Sequence, residues 1–333
     1  MGSDKKDDLF RARRLLSGGH RQTLAHFFLN RRLQLPASDD RLVEVEPGVK
    51  ILCQCHWQEN RSRALTVVVV HGLEGSSESP YAVGIAHKGL AEGMNVVRMN
   101  QRNCGGTDHL APTLYHSGRS QDIAEVVKLL IRTDHLAHVA LVGFSMGGNL
   151  VMKLAGEWGS AGPEQFRAVA AVCPSLDLAA SADALHSPGN RLYEQYFLWK
   201  LRRRLRAKAK LFPNHFDVRR GKGVRSLREF DDKVTAHYCG FAGADDYYYR
   251  SAAARVIENV AVPAFILHAA NDPFIRLTPE TRARIVANPN ITFLESEDGG
   301  HCSFIAEANG YDGRWAERRV VEFLSRFQPP QNS

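Results

Sequence analysis

A serine, an aspartate and a histidine, each with the neighbours that nucleophilic catalysis needs, stand in that order along the chain. Gly143-Phe144-Ser145-Met146-Gly147 is a G-x-S-x-G run. It follows an apolar, β-branched stretch and opens onto the helical pattern Gly148-Asn149-Leu150-Val151-Met152-Lys153-Leu154-Ala155. A serine at such a strand-to-helix turn is held in a strained backbone with its hydroxyl exposed, and small flanking residues avoid a clash. The helix start adds free N–H groups and a positive dipole where an oxyanion would develop. Serine is a poor nucleophile until a base takes its proton, and the base needs an acid to orient it. Asp272 follows the strand-like Ala264-Phe265-Ile266-Leu267-His268 in a loop stiffened by Pro273. His301 closes the glycine-flexed run Glu297-Asp298-Gly299-Gly300. The expected roles are nucleophile for Ser145, proton shuttle for His301 and orienting acid for Asp272. Asp177 is the alternative acid; Asp298 lies too close to His301 in its loop to orient it. Cys302 is a thiol with no separate base and reads as a buried spectator. Two oxyanion donors are expected: the backbone N–H of Met146, and that of Leu73 in the turn His71-Gly72-Leu73-Glu74-Gly75 that ends an early apolar run.

Positioning these residues requires a scaffold of alternating strands and helices. Strand patterns fall at 65–70, 95–99, 138–144, 167–173, 263–269 and 290–294, mostly β-branched and apolar on both faces, as buried parallel strands are. Helical patterns fall between and after them, at 80–92, 119–133, 146–157, 279–287 and 313–327, which predicts βαβ units. Residues 40–57 alternate as an antiparallel pair ahead of the core. The order Ser, Asp, His on such an alternation predicts an α/β-hydrolase fold, a mostly parallel central sheet flanked by helices. Between about 176 and 245 the alternation breaks, and the stretch reads as an inserted helical cap over the sheet's C-terminal edge, where ligand sites form. The division expected is an N-terminal extension over 1–60 and a hydrolase domain over 61–328 carrying that cap.

The 333 residues are 44% hydrophobic and 24% charged, values that suit a globular protein with a large core. No apolar run approaches the roughly 20 residues of a membrane-spanning helix. The start Met-Gly-Ser-Asp-Lys-Lys-Asp-Asp is too polar for a secretory core, and Lys6 stands where a myristoylation signal wants Ser or Thr. Six cysteines without a C-x-x-C pair indicate neither a disulfide scaffold nor zinc, and a cytoplasmic setting is expected. The net charge of +7 is local. Residues 200–233 hold thirteen Lys/Arg against four Asp/Glu, so the remainder carries −2. A uniformly basic nucleic-acid binder is excluded, and no nucleic acid partner is expected.

Further segments carry a family resemblance: Gly19-His20-Arg21-Gln22-Thr23-Leu24, His71 to Ser76, Asn100 to Thr107, Leu114-Tyr115-His116-Ser117-Gly118, Gly143 to Gly148, Arg228-Glu229-Phe230-Asp231-Asp232, Gly240-Phe241 and Asp246-Tyr247-Tyr248. In these the chain resembles the YheT-like branch of the α/β hydrolase superfamily, whose animal members include membrane-associated lipid esterases. The resemblance implies carboxylic-ester hydrolysis, of the short-chain carboxylesterase or acylglycerol lipase type, on small-molecule or lipid esters, with no organic cofactor and no metal. Asn103-Cys104 departs from the Arg-Gly more usual in that branch before Gly-Gly, at the expected rim of the site. The H-x-x-x-x-D motif of some animal relatives is absent, so no acyl transfer is expected.

From Tyr193 an i, i+4 stripe runs through Phe197, Leu201, Leu205 and Ala209 to Phe212, amid Lys200, Arg202, Arg203, Arg204, Arg206, Lys208 and Lys210. This predicts a basic amphipathic helix whose stripe packs on the body and whose charges face water. A sharper reading has residues 200–210 touch an anionic membrane surface. Two other functional classes stand beside the hydrolase: a non-catalytic binding protein on this scaffold, and a membrane-surface adaptor acting through the basic helix.

Overall fold

Apolar runs with no polar face are stable only as strands covered on both sides, and the valine-rich segments fold that way. The computed structural model describes residues 9–29 and 33–330; residues 1–8, on which the reading of the chain start rests, lie outside the described residues. Eight strands form one sheet: β1 (Asp39–Glu46), β2 (Val49–His56), β3 (Thr66–Val70), β4 (Asn95–Met99), β5 (Val139–Phe144), β6 (Phe166–Val172), β7 (Ala264–Ala269) and β8 (Ile291–Ser296). Their order is β1-β2-β4-β3-β5-β6-β7-β8. β1 and β2, and β2 and β4, pair antiparallel; every pairing from β4 to β8 is parallel. β3, β4 and β5 are buried at every residue. β8 departs from the expected two-faced burial because it is the sheet's edge, with no residue fully covered.

The helices outside the β6–β7 connection are α1 (Gly19–Phe28), α2 (Pro80–Ala91), α3 (Ser120–Asp134) and α4 (Met146–Trp158) before it. Val68, Val70, Leu141 and Val169 pack with residues of α3 and α4 on one face of the sheet. Val67, Val69, Val142 and Val172 pack with residues of α2 and the C-terminal helix on the other. After β3 the chain crosses to β4 on one side, then returns to place β5 on the other, so the C-terminal ends of β3 and β5 flank the point where the winding reverses. A crevice for ligand forms at such a point.

The connection from β6 to β7 is helical throughout: α5 (Leu178–Leu185), α6 (Arg191–Leu211), α7 (Leu227–Phe230), a π-helical turn over Asp231–Ala236, α8 (His237–Cys239) and α9 (Ala244–Ser251). α10 (Pro279–Ala287) and α11 (Trp315–Ser325) complete the chain order.

α6 is the basic helix, and its stripe packs on the body as expected, with Leu201 and Leu205 buried and Tyr193, Phe197, Ala209 and Phe212 half-buried against their neighbours. Glu194, Leu198, Leu201, Leu205 and Lys208 are its buried residues. Tyr193 and Phe197 also flank the cavities beside Ser145. The charges are not all in water. Lys208 is fully buried, its ammonium donating to the carbonyls of Ala111 and Asp108, and burial pulls its pKa down to about 8. Arg204 donates to the buried Glu74 and to the Asn103 carbonyl. The physical reason is capacity: a long cationic side chain can enter the interior when carbonyls or a carboxylate wait for each N–H. Arg203, Arg206 and Lys210 are the exposed cations of this run.

Candidate active site

Ser145 sits between the last residue of β5 and the first of α4, with φ of 56° and ψ of −121°. That left-handed backbone is unfavourable for a residue with a Cβ and persists only where its surroundings enforce it. The enforcement is local. The Ser145 N–H donates to the Val172 carbonyl on β6 at 2.9 Å, and the Ser145 carbonyl accepts from Asn149 N–H at 3.1 Å. Gly147 lies against the Val70 and His71 carbonyls, where any side chain would collide with them.

The loops after three strands bring the expected residues together. Ser145 Oγ lies 3.0 Å from His301 Nε2, and His301 Nδ1 lies 2.7 Å from Asp272 Oδ2. The carboxylate only accepts, so Nδ1 carries the proton and Nε2 is free to accept from Ser145. Asp272 is buried, and its other oxygen accepts the N–H groups of Phe274 and Ile275 at 3.0 and 2.9 Å. Burial alone would raise the Asp272 pKa, but the His301 charge and these hydrogen bonds hold it below the ordinary carboxylate value. Burial alone would lower that of His301; the Asp272 carboxylate overrides it and holds the imidazole above its ordinary value. Phe274 covers the imidazole at 4.4 Å between ring centres.

The other acids have separate work. Asp177 accepts from the Thr278 N–H and from Thr281 Oγ1 at the start of α10. Asp298 accepts from Ser17, Gly18, Asn271 and Gly299, bracing the loop that presents His301. Cys302 is buried 3.9 Å from His301 Nε2, and burial drives its thiol pKa well up, which leaves it protonated and a weak nucleophile. The ligating atoms of Cys173, His301 and Cys302 lie within 4.8 Å of one another, so these three could hold a soft cation. Binding one there would draw on the His301 nitrogens that already face Ser145 and Asp272.

Leu73 and Met146 flank Ser145. Strands β3 and β5 pair in parallel with Val70 opposite Gly143, so the turn after β3 runs beside the Ser145 turn. Met146 is the first residue of α4, where a backbone N–H has no partner within the helix. The Leu73 turn is rigid because His71 is buried and neutral. Its Nδ1–H donates to the Gly72 carbonyl at 2.7 Å, its Nε2 accepts from Gln101 N–H at 3.1 Å, and burial lowers its pKa to about 4. These two amides can serve as donors to an oxyanion on an acyl group attached at Ser145.

Two cavities meet at Ser145. The narrower, about 100 Å³, is lined by Met146, Leu178, Leu185, Leu201 and Phe274 among others. The wider, about 470 Å³, is lined by Glu74, Tyr196, Lys200, Arg204 and His301 among others. The helical segment between β6 and β7 supplies walls to both.

Four contributors escape sequence reasoning. Thr23 on α1 accepts the His301 N–H through Oγ1 at 2.9 Å. Gln22 bonds both ways with the backbone of Ile305, at 3.0 and 2.8 Å. Gly19 packs so closely on the Asn271 carbonyl that a Cβ there would collide with it. The signal existed in the segment Gly19 to Leu24, but nothing in one sequence says which loop it meets. Glu74 is the fourth: buried between Tyr115 and Arg204, it fixes α6 beside the Leu73 turn. The departure at Asn103-Cys104 is buried and lines neither cavity, and the Asn103 carbonyl takes an Arg204 N–H, so it anchors α6 and is no part of the expected rim.

Residues 66–308 match the alpha/beta hydrolase fold family. The chain belongs to that family. It is 32% identical over 280 residues to the candidate esterase YheT of Escherichia coli K12, covering 81% of this chain and 80% of that one. It is 26% identical to the mouse phospholipase ABHD3, over 85% of this chain and 70% of the relative. Against the monoacylglycerol lipase of Saccharomyces cerevisiae the identity is 26%, over 78% of this chain and 59% of the relative. Among solved structures, the esterase of Pyrobaculum calidifontis superposes with a TM-score of 0.58 at 16% identity, over 93% of this chain and 92% of that one, a likeness of fold. Among the described residues no helix is long and apolar enough to cross a membrane.

Proposed function

We propose that this α/β hydrolase is a carboxylic ester hydrolase working through an acyl-enzyme on Ser145. Ser145 Oγ attacks the ester carbonyl while His301 Nε2 takes its proton, and the carbonyl oxygen gains negative charge between the Leu73 and Met146 amides. His301 returns the proton to the departing alkoxide. Water then enters, His301 deprotonates it, and attack on the acyl carbon releases the acid and restores Ser145. Asp272 keeps the Nδ1 proton in place and stabilises the imidazolium. The observation that carries this reading is the hydrogen-bonded row Ser145–His301–Asp272, 3.0 and 2.7 Å, at the junction of two cavities. The names of the relatives, an esterase, a phospholipase and a monoacylglycerol lipase, support small-molecule or lipid esters as the substrate class. Residues of about 176–245 act as the cap that shapes both cavities. Turnover of p-nitrophenyl esters from acetate to palmitate by wild type and Ser145→Ala tests the proposal. Wild type should turn over esters of at least one chain length, and the variant should fall by at least about 10⁴-fold. Equal rates in the two proteins, or an inactive wild type, would return the chain to the class of binding proteins on this scaffold.

Contact with an anionic membrane is a second proposal, supported by one observation. Leu24, Phe28, Leu192 and Tyr196 line an apolar groove on the surface next to the mouth of the wider cavity, and Tyr196 borders both. The exposed cations of α6 continue that surface. Replacing Arg203, Arg206 and Lys210 by Gln should weaken binding to anionic vesicles by about 1 kcal/mol per charge. Unchanged binding rejects the contact.

A further inference from the structure

The narrower cavity is not apolar throughout. Ser145 and Met146 share it with His116, Ser117, Asp231, Thr235, Tyr247 and Tyr248. All six of these polar residues are buried, and they come from segments that the catalytic row leaves unused: the Leu114 to Gly118 stretch, the run through Asp231, and the tyrosine pair on α9.

Their hydrogen bonds make separate groups that the Tyr247–Tyr248 and His116–Tyr247 ring contacts join into one cluster. Thr235 Oγ1 donates to Asp231 Oδ1 at 2.7 Å, and Tyr248 OH donates to Asp231 Oδ2 at 2.8 Å. Tyr247 OH donates to Ser117 Oγ at 2.9 Å and accepts the Ser117 N–H at 3.0 Å. Gly118 N–H donates to His116 Nδ1, which fixes the His116 proton on Nε2. Asp231 opens the π-helical turn, a widened geometry that recurs at functional sites and that here turns Asp231 and Thr235 onto each other.

Asp231 is the unusual member. It is 8% exposed, and among the described residues no cation pairs with it. The nearby Arg228 is committed to Asp183 and Asp245, with its guanidinium over the Tyr248 ring. A buried carboxylate without a cation is costly and is retained where it meets a ligand. Burial moves its pKa up to about 6. Each carboxylate oxygen accepts one hydroxyl and keeps a lone pair for another donor.

Resting on the acyl-enzyme reading, we propose that this cluster is a recognition subsite for a hydroxyl carried on the acyl group, so that the preferred substrates are esters of hydroxy acids. Apolar walls of Leu178, Leu185, Phe274 and Ile275 accept the methylene chain, and the cluster receives the oxygen. Asp231 accepts the substrate O–H, and Ser117 Oγ, which accepts from Tyr247, keeps its own proton to donate in return. An anionic terminus meets an unneutralised acid and is rejected. An ammonium loses more hydration than a hydroxyl on entering the same walls, and one carboxylate already receiving two hydrogen bonds offers it less in exchange. A site whose buried polar groups expect a hydroxyl discriminates strongly against the analogue that lacks it. Here the cluster members also satisfy one another, which moderates the preference to about tenfold or more.

The test is a pH-stat comparison of methyl hexanoate, octanoate and decanoate with their 3-hydroxy, ω-hydroxy and ω-amino counterparts. Wild type should show at least about a tenfold higher kcat/KM for a hydroxy ester over the plain ester at one or more lengths. In Asp231→Asn that ratio should fall towards one, and Tyr248→Phe should lower it in the same direction. Tyr248→Phe keeps the ring packing and gives the answer if Asp231→Asn does not fold. A wild-type ratio of one at every length, or a ratio unchanged in the variant, overturns the subsite. A preference for the amino ester overturns the assignment to a hydroxyl. Turnover of plain esters without preference sinks this inference alone. Absence of turnover together with no labelling of Ser145 by a fluorophosphonate sinks the underlying reading instead.

Discussion

The strand-end loops that carry Ser145, Asp272 and His301 and the helical segment between β6 and β7 are held by different means. The loops are fixed by backbone. Ser145 and Cys302 adopt φ of 56° and 59°, Glu74 does so at 56°, and each holds its place through its own N–H: that of Ser145 on the Val172 carbonyl, that of Cys302 on the Cys173 thiol and that of Glu74 on the Tyr115 hydroxyl. Helix α6 is fixed by the ends of long side chains: Arg204 on Glu74 and the Asn103 carbonyl, Lys208 on the Ala111 and Asp108 carbonyls. Anchoring through the loop's own N–H groups fixes the backbone that carries the reacting atoms. Side-chain anchoring places a wall, and the wall can be altered one residue at a time. Chemistry should therefore be lost by changes in the loops, and stability or selectivity by changes in α6.

Asp272→Asn gives the largest effect that sharpens this division. The fold should persist, while kcat falls by about 10⁴-fold because the imidazole loses its fixed tautomer. The pH profile supplies the sign. The carboxylate raises the His301 pKa, and the neutral imidazole is the active base, so kcat/KM of wild type rises with pH through an inflection above the ordinary histidine value. Without the carboxylate that inflection should move to lower pH. A profile that stays in place would break the assignment of Asp272 as partner.

Arg204→Met comes next and concerns α6. It strands Glu74, a carboxylate whose side chain is 5% exposed, and should cost about 3 kcal/mol by denaturant unfolding, with little change in kcat for a short ester. Glu74→Gln with Arg204→Met should recover part of the loss, since both buried charges are then gone. A kcat loss as large as that of Asp272→Asn would erase the distinction between the two regions.

Thr23→Val removes the acceptor of the His301 N–H and should lower kcat by about tenfold at unchanged KM, with Thr23→Ser restoring it. The smallest effect belongs to the surface. Arg203, Arg206 and Lys210 changed together to Gln should leave unfolding free energy within about 0.5 kcal/mol per site, in contrast to Arg204 on the same helix.

Much of this arrangement is legible in the residues. The runs Val67 to Val70 and Val139 to Phe144 announce buried strands because no polar residue interrupts them, and the glycines around Ser145 announce a turn too crowded for side chains. The edge exposure of β8 is not legible, because apolar pattern reports what a strand tolerates and not which neighbour it lacks. The placement of the α6 charges is misread for a related reason. A stripe counted from Tyr193 assumes that charges point to water, whereas Glu194 and Lys208 lie on the interior face, Glu194 taking the Leu227 N–H 33 residues away besides the nearer His186, and Lys208 reaching carbonyls 97 and 100 residues away. Partners at such separations leave no local period. The same holds for Asp231, whose tyrosine lies 17 residues on and whose shared cavity with Ser145 appears only in three dimensions.

The clasp of α1 on the His301 loop has a temporal meaning. Thr23 and Gln22 leave the ribosome long before the residues they hold, which stand 278 and 283 positions later. A contact of that span closes only after the intervening sheet has formed, since its entropic cost must be met by structure already in place. The nucleophile turn, tied to the adjacent β6 by the Ser145 N–H, can form much earlier. On the proposed reading, Ser145 is shaped while its base is still unplaced, and hydrolytic competence would come late in folding.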